Sequence, residues 1–74
     1  MDNYHIVKDG EKWKFSKEGG GRALATADTK QETIDKARNY MSDRTGSVKI
    51  HKENGQLQEE RTYQRKDDPR KSKG

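Results

Sequence analysis

Cysteine is absent from the 74 residues, which excludes disulfide staples and thiolate metal sites and suits a reducing compartment. Core-forming side chains are scarce. Leu, Ile, Val and Phe together number eight, well below the ~20% under which composition points to disorder. No apolar run approaches a signal-peptide core or a membrane span, so the expectation is a soluble, cytoplasmic chain that engages no membrane. A chain this short is one domain at most, and it buries too little surface to be more than modestly stable. Hydrophobic residues are 24% of the chain and charged residues 41%. Composition alone therefore describes a disordered protein, and any case for folding has to come from residue order.

The net charge of +4 is unevenly placed. Residues 64–74, QRKDDPRKSKG, carry five Lys/Arg and two Asp, a balance of +3, whereas residues 1–63 carry twelve basic against eleven acidic residues, +1. The basic character belongs mainly to the tail, which weakens any nucleic-acid argument made from the whole-chain charge.

Residue order does support a fold. Asp9-Gly10 sits between HIVK and EKWKFSK, and Asp-Gly marks a two-residue hairpin turn whose central positions call for positive φ. Counting outward, Lys8 faces Glu11, Ile6 faces Trp13 and Tyr4 faces Phe15. Tyr4, Ile6, Trp13 and Phe15 then share one face. Glu18-Gly19-Gly20-Gly21 ends the second strand. Residues 22–27 read as a third, with Ala23, Ala25 and Ala27 inward and Leu24 and Thr26 outward. Thr29 and Glu32 form a T-x-x-E capping box ahead of a helix with the apolar stripe Ile34, Ala37 and Met41, Tyr40 beside it. Arg44 suits the helix C-terminus and Gly46 its C-cap. Asn54-Gly55 is a second turn signal. It sets Val48 against Arg61, Lys49 against Glu60, Ile50 against Glu59, His51 against Gln58 and Lys52 against Leu57.

Pooled, these apolar sides predict one core: Tyr4, Ile6, Trp13, Phe15, Ala23, Ala27, Ile34, Ala37, Met41, Val48, Ile50 and Leu57. The expected fold is α+β, an antiparallel sheet of about five short strands in the order β-β-β-α-β-β with one helix packed on one face. The domain covers residues 1–63. Residues 64–74 have no apolar side chain and are expected to form a disordered basic tail.

Several pieces recur in a familiar order: Y-H-I-V at 4–7, W at 13, G-x-R-A at 20–23, D-T-K-x-E-x-I at 28–34, K-A-R at 36–38 and I-H-x-x-N-G-x-x-Q-E-E-R-T-Y at 50–63. The set resembles a family of small bacterial proteins known as domain of unknown function two-one-eight-eight. The resemblance implies the β-β-β-α-β-β arrangement and lends no activity. Family members commonly have a bulky apolar residue where this chain has Ala27, which implies a thinner core here. A second likeness rests on three strands before a helix, W-x-F, a basic turn and D-T-x-x-E. It is similar to the DNA-binding sheets of AP2-type domains and phage integrase arms, which read DNA with the face opposite the helix. That is a likeness of fold, and fold does not carry function.

The face away from the helix presents His5, Val7, Lys12, Lys14, Ser16, Leu24, Thr26, Lys49 and His51. Lys12, Lys14, Arg22, Lys49 and His51 are candidate nucleic-acid contacts, with Arg65, Lys66, Arg70, Lys71 and Lys73 of the tail adding salt-sensitive affinity. The plainer account is a solvated face whose lysines discourage aggregation and a solubilising tail. His5 and His51 share that face without a third ligand and read as two exposed histidines, so no metal is expected. Gly19-Gly20-Gly21 lacks the Lys-Ser/Thr of a phosphate loop. No nucleophile has a basic partner, and Glu59 and Glu60 point to opposite faces. The chain reads as a non-enzymatic binding or accessory protein without a cofactor. Its candidate partners are nucleic acid, another protein, or a second copy joined through an edge strand at residues 59–63.

Overall fold

The computed structural model describes residues 2–63. The expected tail, with Arg65, Lys66, Arg70, Lys71 and Lys73, lies outside the described residues. Five strands, β1 (Asp2–Asp9), β2 (Lys12–Lys17), β3 (Ala23–Ala27), β4 (Gly46–His51) and β5 (Leu57–Tyr63), form one sheet, and the helix α1 (Lys30–Tyr40) follows β3. The expected α+β arrangement is present.

The first hairpin differs from expectation in register and keeps its faces. Within this turn Gly10 alone has positive φ, at 67°, and among the described residues no non-glycine residue does. An Asp9-Gly10 turn of the expected type would place Asp9 there too, which costs a residue with a Cβ more than it costs glycine. The loop is instead Gly10-Glu11, with glycine at the first central position, and Asp9 pairs with Lys12. Ile6 now faces Phe15 and Lys8 faces Trp13. A shift of two residues leaves every side chain on its predicted side, so Tyr4, Ile6, Trp13 and Phe15 are all buried. The expected Lys8–Glu11 pairing is replaced by Asp9 opposite Lys12.

The second pairing carries a bulge. Phe15 faces Ala25, but Ser16 faces Ala23, leaving Leu24 as the extra residue. Ala23 consequently joins Ser16 on the outer face and is exposed, a correction to the predicted core. Ala25 packs against the core, and Ala27 is half-buried.

Thr29 caps α1 as predicted: its Oγ1 accepts from the Glu32 backbone N–H at 3.1 Å. Thr33 is fully buried, with its hydroxyl donating to the Thr29 carbonyl at 2.9 Å. Thr33, Ile34 and Ala37 form the buried face of the helix. The helix ends at Tyr40 and passes through a short 3-10 turn, Met41–Asp43. Gly46 is not its C-cap. It opens β4, is buried and lacks positive φ.

The sheet order is β3-β2-β1-β4-β5. β4 lies beside β1 and runs parallel to it, Tyr4 opposite Val48 and Ile6 opposite Ile50, so one pairing departs from the antiparallel expectation. The helix carries the chain back along the sheet, and the next strand starts from the end where β1 starts. Beyond β4, the turn closes with Gly55 N–H on the Lys52 carbonyl at 2.9 Å. Gly55 has φ 93°, and Asn54 Oδ1 accepts from the Gln56 N–H at 3.0 Å. Val48, Lys49 and Ile50 meet Arg61, Glu60 and Glu59 as predicted, after which the register slips and His51 meets Leu57. The slip puts Leu57 opposite an outer-face residue. It is 52% exposed and does not belong to the predicted core.

The core is Tyr4, Ile6, Trp13, Phe15, Ile34, Ala37, Met41, Val48 and Ile50. Tyr4 stacks on Phe15 with centroids 5.4 Å apart, and Tyr40 meets both edge-on. No helix among the described residues is long and apolar enough to cross a membrane.

Candidate functional site

Strand alternation brings Lys12, Lys14, Lys49 and His51 to the outer face, and each finds a partner there. Lys12 bonds the Asp28 carboxylate; that bond holds the ammonium above and the carboxyl below their ordinary ranges. Lys14 stands 3.9 Å from Asp9. Lys49 donates to Asn3 Oδ1 at 3.1 Å and to Glu60 at 3.5 Å. The buried Ser47 hydroxyl also donates to Glu60 and, ahead of Lys49, holds its carboxyl down. Arg22 is exposed in the β2–β3 connection, and among the described residues it forms no ion pair. The expected cationic set is therefore split: four members share a face already matched by acceptors, and one stands apart. The tail members Arg65, Lys66, Arg70 and Lys71 lie outside the described residues.

The two histidines are not independent surface groups. His5 Nδ1 is 2.9 Å from His51 Nε2, and Glu18 and the Gly55 carbonyl engage their far nitrogens. Sequence reading placed both rings on one face but missed Glu18 and Gly55. The signal was within reach only with the parallel β1–β4 pairing in hand, because that pairing sets His5 opposite Lys49, two residues from His51. Among the described residues no group of three or more His, Cys, Asp or Glu side chains is arranged to hold a metal ion.

An open depression of about 560 Å³ lies where the hairpin tips meet the start of α1, lined by Lys8, Trp13, Thr29, Lys30 and Lys52 among others. Lys8 and Lys30 sit 5.7 and 5.3 Å from the Trp13 ring centroid. The tryptophan is 6% exposed, so it cannot offer a face for a base to stack on. Glu11, Asp28 and Glu53 line the same depression and offset its lysines.

The sheet's edges differ. β3 is short and bulged, and Lys36 Nζ donates to the Thr26 carbonyl at 2.8 Å. β5 runs seven residues, and all but Tyr63 are exposed. Within the strand, Arg61 Nε donates to Glu59 at 2.8 Å. That bond pulls the Glu59 carboxyl below its usual range and raises the Arg61 guanidinium.

A family profile described as an uncharacterised protein conserved in bacteria, DUF2188, matches residues 4–63. No curated protein and no solved structure matches the chain.

Proposed function

The chain belongs to the bacterial DUF2188 family, whose description carries no activity, and we propose that it is a small non-enzymatic binding protein whose working surface is the β5 edge. The observation that carries this reading is the contrast between the two edges, one short and bonded by Lys36, the other long and exposed. An unpaired strand edge is a template for another strand. A cytoplasmic setting fits the absence of cysteine.

The occupant we infer is a second copy of the chain. Antiparallel self-pairing centred on Glu60 sets Glu59 opposite Arg61 of the second copy, and Arg61 opposite its Glu59. Both cross-strand pairs are of opposite charge, the favourable kind, and the two-fold axis relates one to the other. The like charges at the centre are eased because Ser47 and Lys49 already engage Glu60.

Sedimentation velocity across a concentration series tests this. The wild type is expected to self-associate, R61E to remain monomeric, and the charge swap E59R/R61E to self-associate again. A wild type that stays strictly monomeric at high concentration removes the second copy as occupant. The competing reading is nucleic-acid binding through Lys12, Lys14, Arg22, Lys49 and His51 with the tail. Fluorescence anisotropy with a short duplex separates the two: salt-sensitive affinity in a monomeric protein favours the basic face, and none at low salt ends that reading.

A further inference from the structure

His5 and His51 meet head to head on the outer face, with His5 Nδ1 2.9 Å from His51 Nε2. Their far nitrogens face acceptors. His5 Nε2 is 2.8 Å from Glu18 Oε1, and His51 Nδ1 is 3.0 Å from the Gly55 carbonyl oxygen. A carbonyl and an ionised carboxylate only accept, so each far nitrogen must carry a proton. In two neutral rings both inner nitrogens would then be bare, lone pair against lone pair. Something positive has to lie between them.

The ring centroids are 5.1 Å apart. The difference from the 2.9 Å nitrogen separation is taken up almost entirely by the two ring radii, so the nitrogens point straight at each other. A metal ion on that line, at about 2.0–2.1 Å from each nitrogen, needs them roughly 4 Å apart. A proton fits, because an N–H···N contact of this length is an ordinary hydrogen bond.

We propose that His5 and His51 hold one proton beyond two neutral rings, and that this imidazolium–imidazole pair is a pH-sensitive latch joining β1, the β2–β3 connection, β4 and the β4–β5 turn. Glu18 favours placing the extra charge on His5, which then donates from both nitrogens. His51 keeps its Nδ1 proton and accepts at Nε2. The other charged groups on this face are already engaged: Lys12 and Lys14 of β2 with Asp28 and Asp9, and Lys49 of β4 with Asn3 and Glu60 of β5. Glu18 is the carboxylate that meets the pair directly. The helix lies on the opposite face.

The latch closes only in its one-proton state. A second proton opposes N–H to N–H. Loss of the shared proton opposes two lone pairs, or turns a bare Nε2 to the Glu18 carboxylate. Either change breaks the head-to-head contact, so what the latch contributes is lost on both sides of its one-proton state.

Long-range 1H–15N NMR of the ring nitrogens in the full chain reads the state directly. Three protonated nitrogens and one bare one, His51 Nε2, with scalar coupling between His5 Nδ1 and His51 Nε2, are expected. Two neutral rings, or two rings titrating independently, overturn the proposal. The second measurement is the denaturant midpoint against pH. The wild type should peak at intermediate pH and fall on both sides. E18Q should lose the part of the alkaline fall that lies below about pH 9, ahead of tyrosine ionisation, because the glutamine amide can donate to a neutral His5 Nε2. Superimposable wild-type and E18Q curves also overturn it. The nitrogen pattern belongs to a single chain, so it stands or fails independently of pairing at β5.

Discussion

A Cβ on Gly46 would stand 2.9 Å from the Cε1 of Tyr4 and as close to the Cε of Met41. The glycine lets the start of β4 slide beneath the Tyr4 ring, where the parallel pairing with β1 begins. Gly46→Ala must push apart two fully packed side chains, and overpacking of this kind costs about 1–3 kcal/mol. Urea unfolding should show the midpoint fall with an unchanged slope. An alanine variant as stable as the wild type would mean that the Tyr4 and Met41 ends yield freely.

Leu57 and Ile50 belong to one hairpin and should respond oppositely to truncation. Ile50 is 1% exposed and Leu57 52%. Ile50→Ala is expected to cost about 2–5 kcal/mol, whereas Leu57→Ser should stay within roughly 0.5 kcal/mol. Comparable losses at the two positions would place Leu57 in the core and contradict the register slip beside His51.

Tyr4 sets an alkaline limit. Burial pushes its hydroxyl up, with Tyr40 and Asp2 adding to the effect. A group raised on folding contributes stability that is full below its unfolded value, about 10 for tyrosine, and lost as pH rises through the folded value. Thermal unfolding from about pH 9 upward should show a fall in the wild type that Tyr4→Phe flattens. Parallel curves for the two proteins rule out this account. At the acid end Asp28, Glu59 and Glu60 are held low by Lys12, Arg61 and Ser47 respectively. Their contribution is present above the unfolded carboxylate range and lost as pH falls through the folded values. Because all three are exposed, that loss should be small and should shrink with added salt.

Much of the architecture is legible in the sequence. The alternation of Tyr4, Ile6, Trp13 and Phe15 named the buried face correctly, and Thr29 with Glu32 marked the helix start to the residue. The errors at Ala23 and Leu57 share a cause. Each lies beyond a bulge, and a bulge reverses the side-chain parity that strict alternation assumes. Gly46 reads as a helix cap but opens β4, because sequence position near a helix end says nothing about what packs against its α-carbon. Of the candidate contacts, Lys12, Lys14, Lys49 and His51 do share a face, but their acceptors come from β1, the β4–β5 turn, β5 and the segment before α1. No local pattern names those partners.

The chain's own residue order determined which side of each strand is greasy, where the helix begins and how many elements there are. Those features repeat every two residues or within a single helical turn, so short windows encode them. Only the assembled molecule decided the hairpin register, the parallel neighbour of β1 and the meeting of His5 with His51. Alternation is blind to shifts of two residues, and strand neighbours are chosen by which faces pack together across the whole sheet.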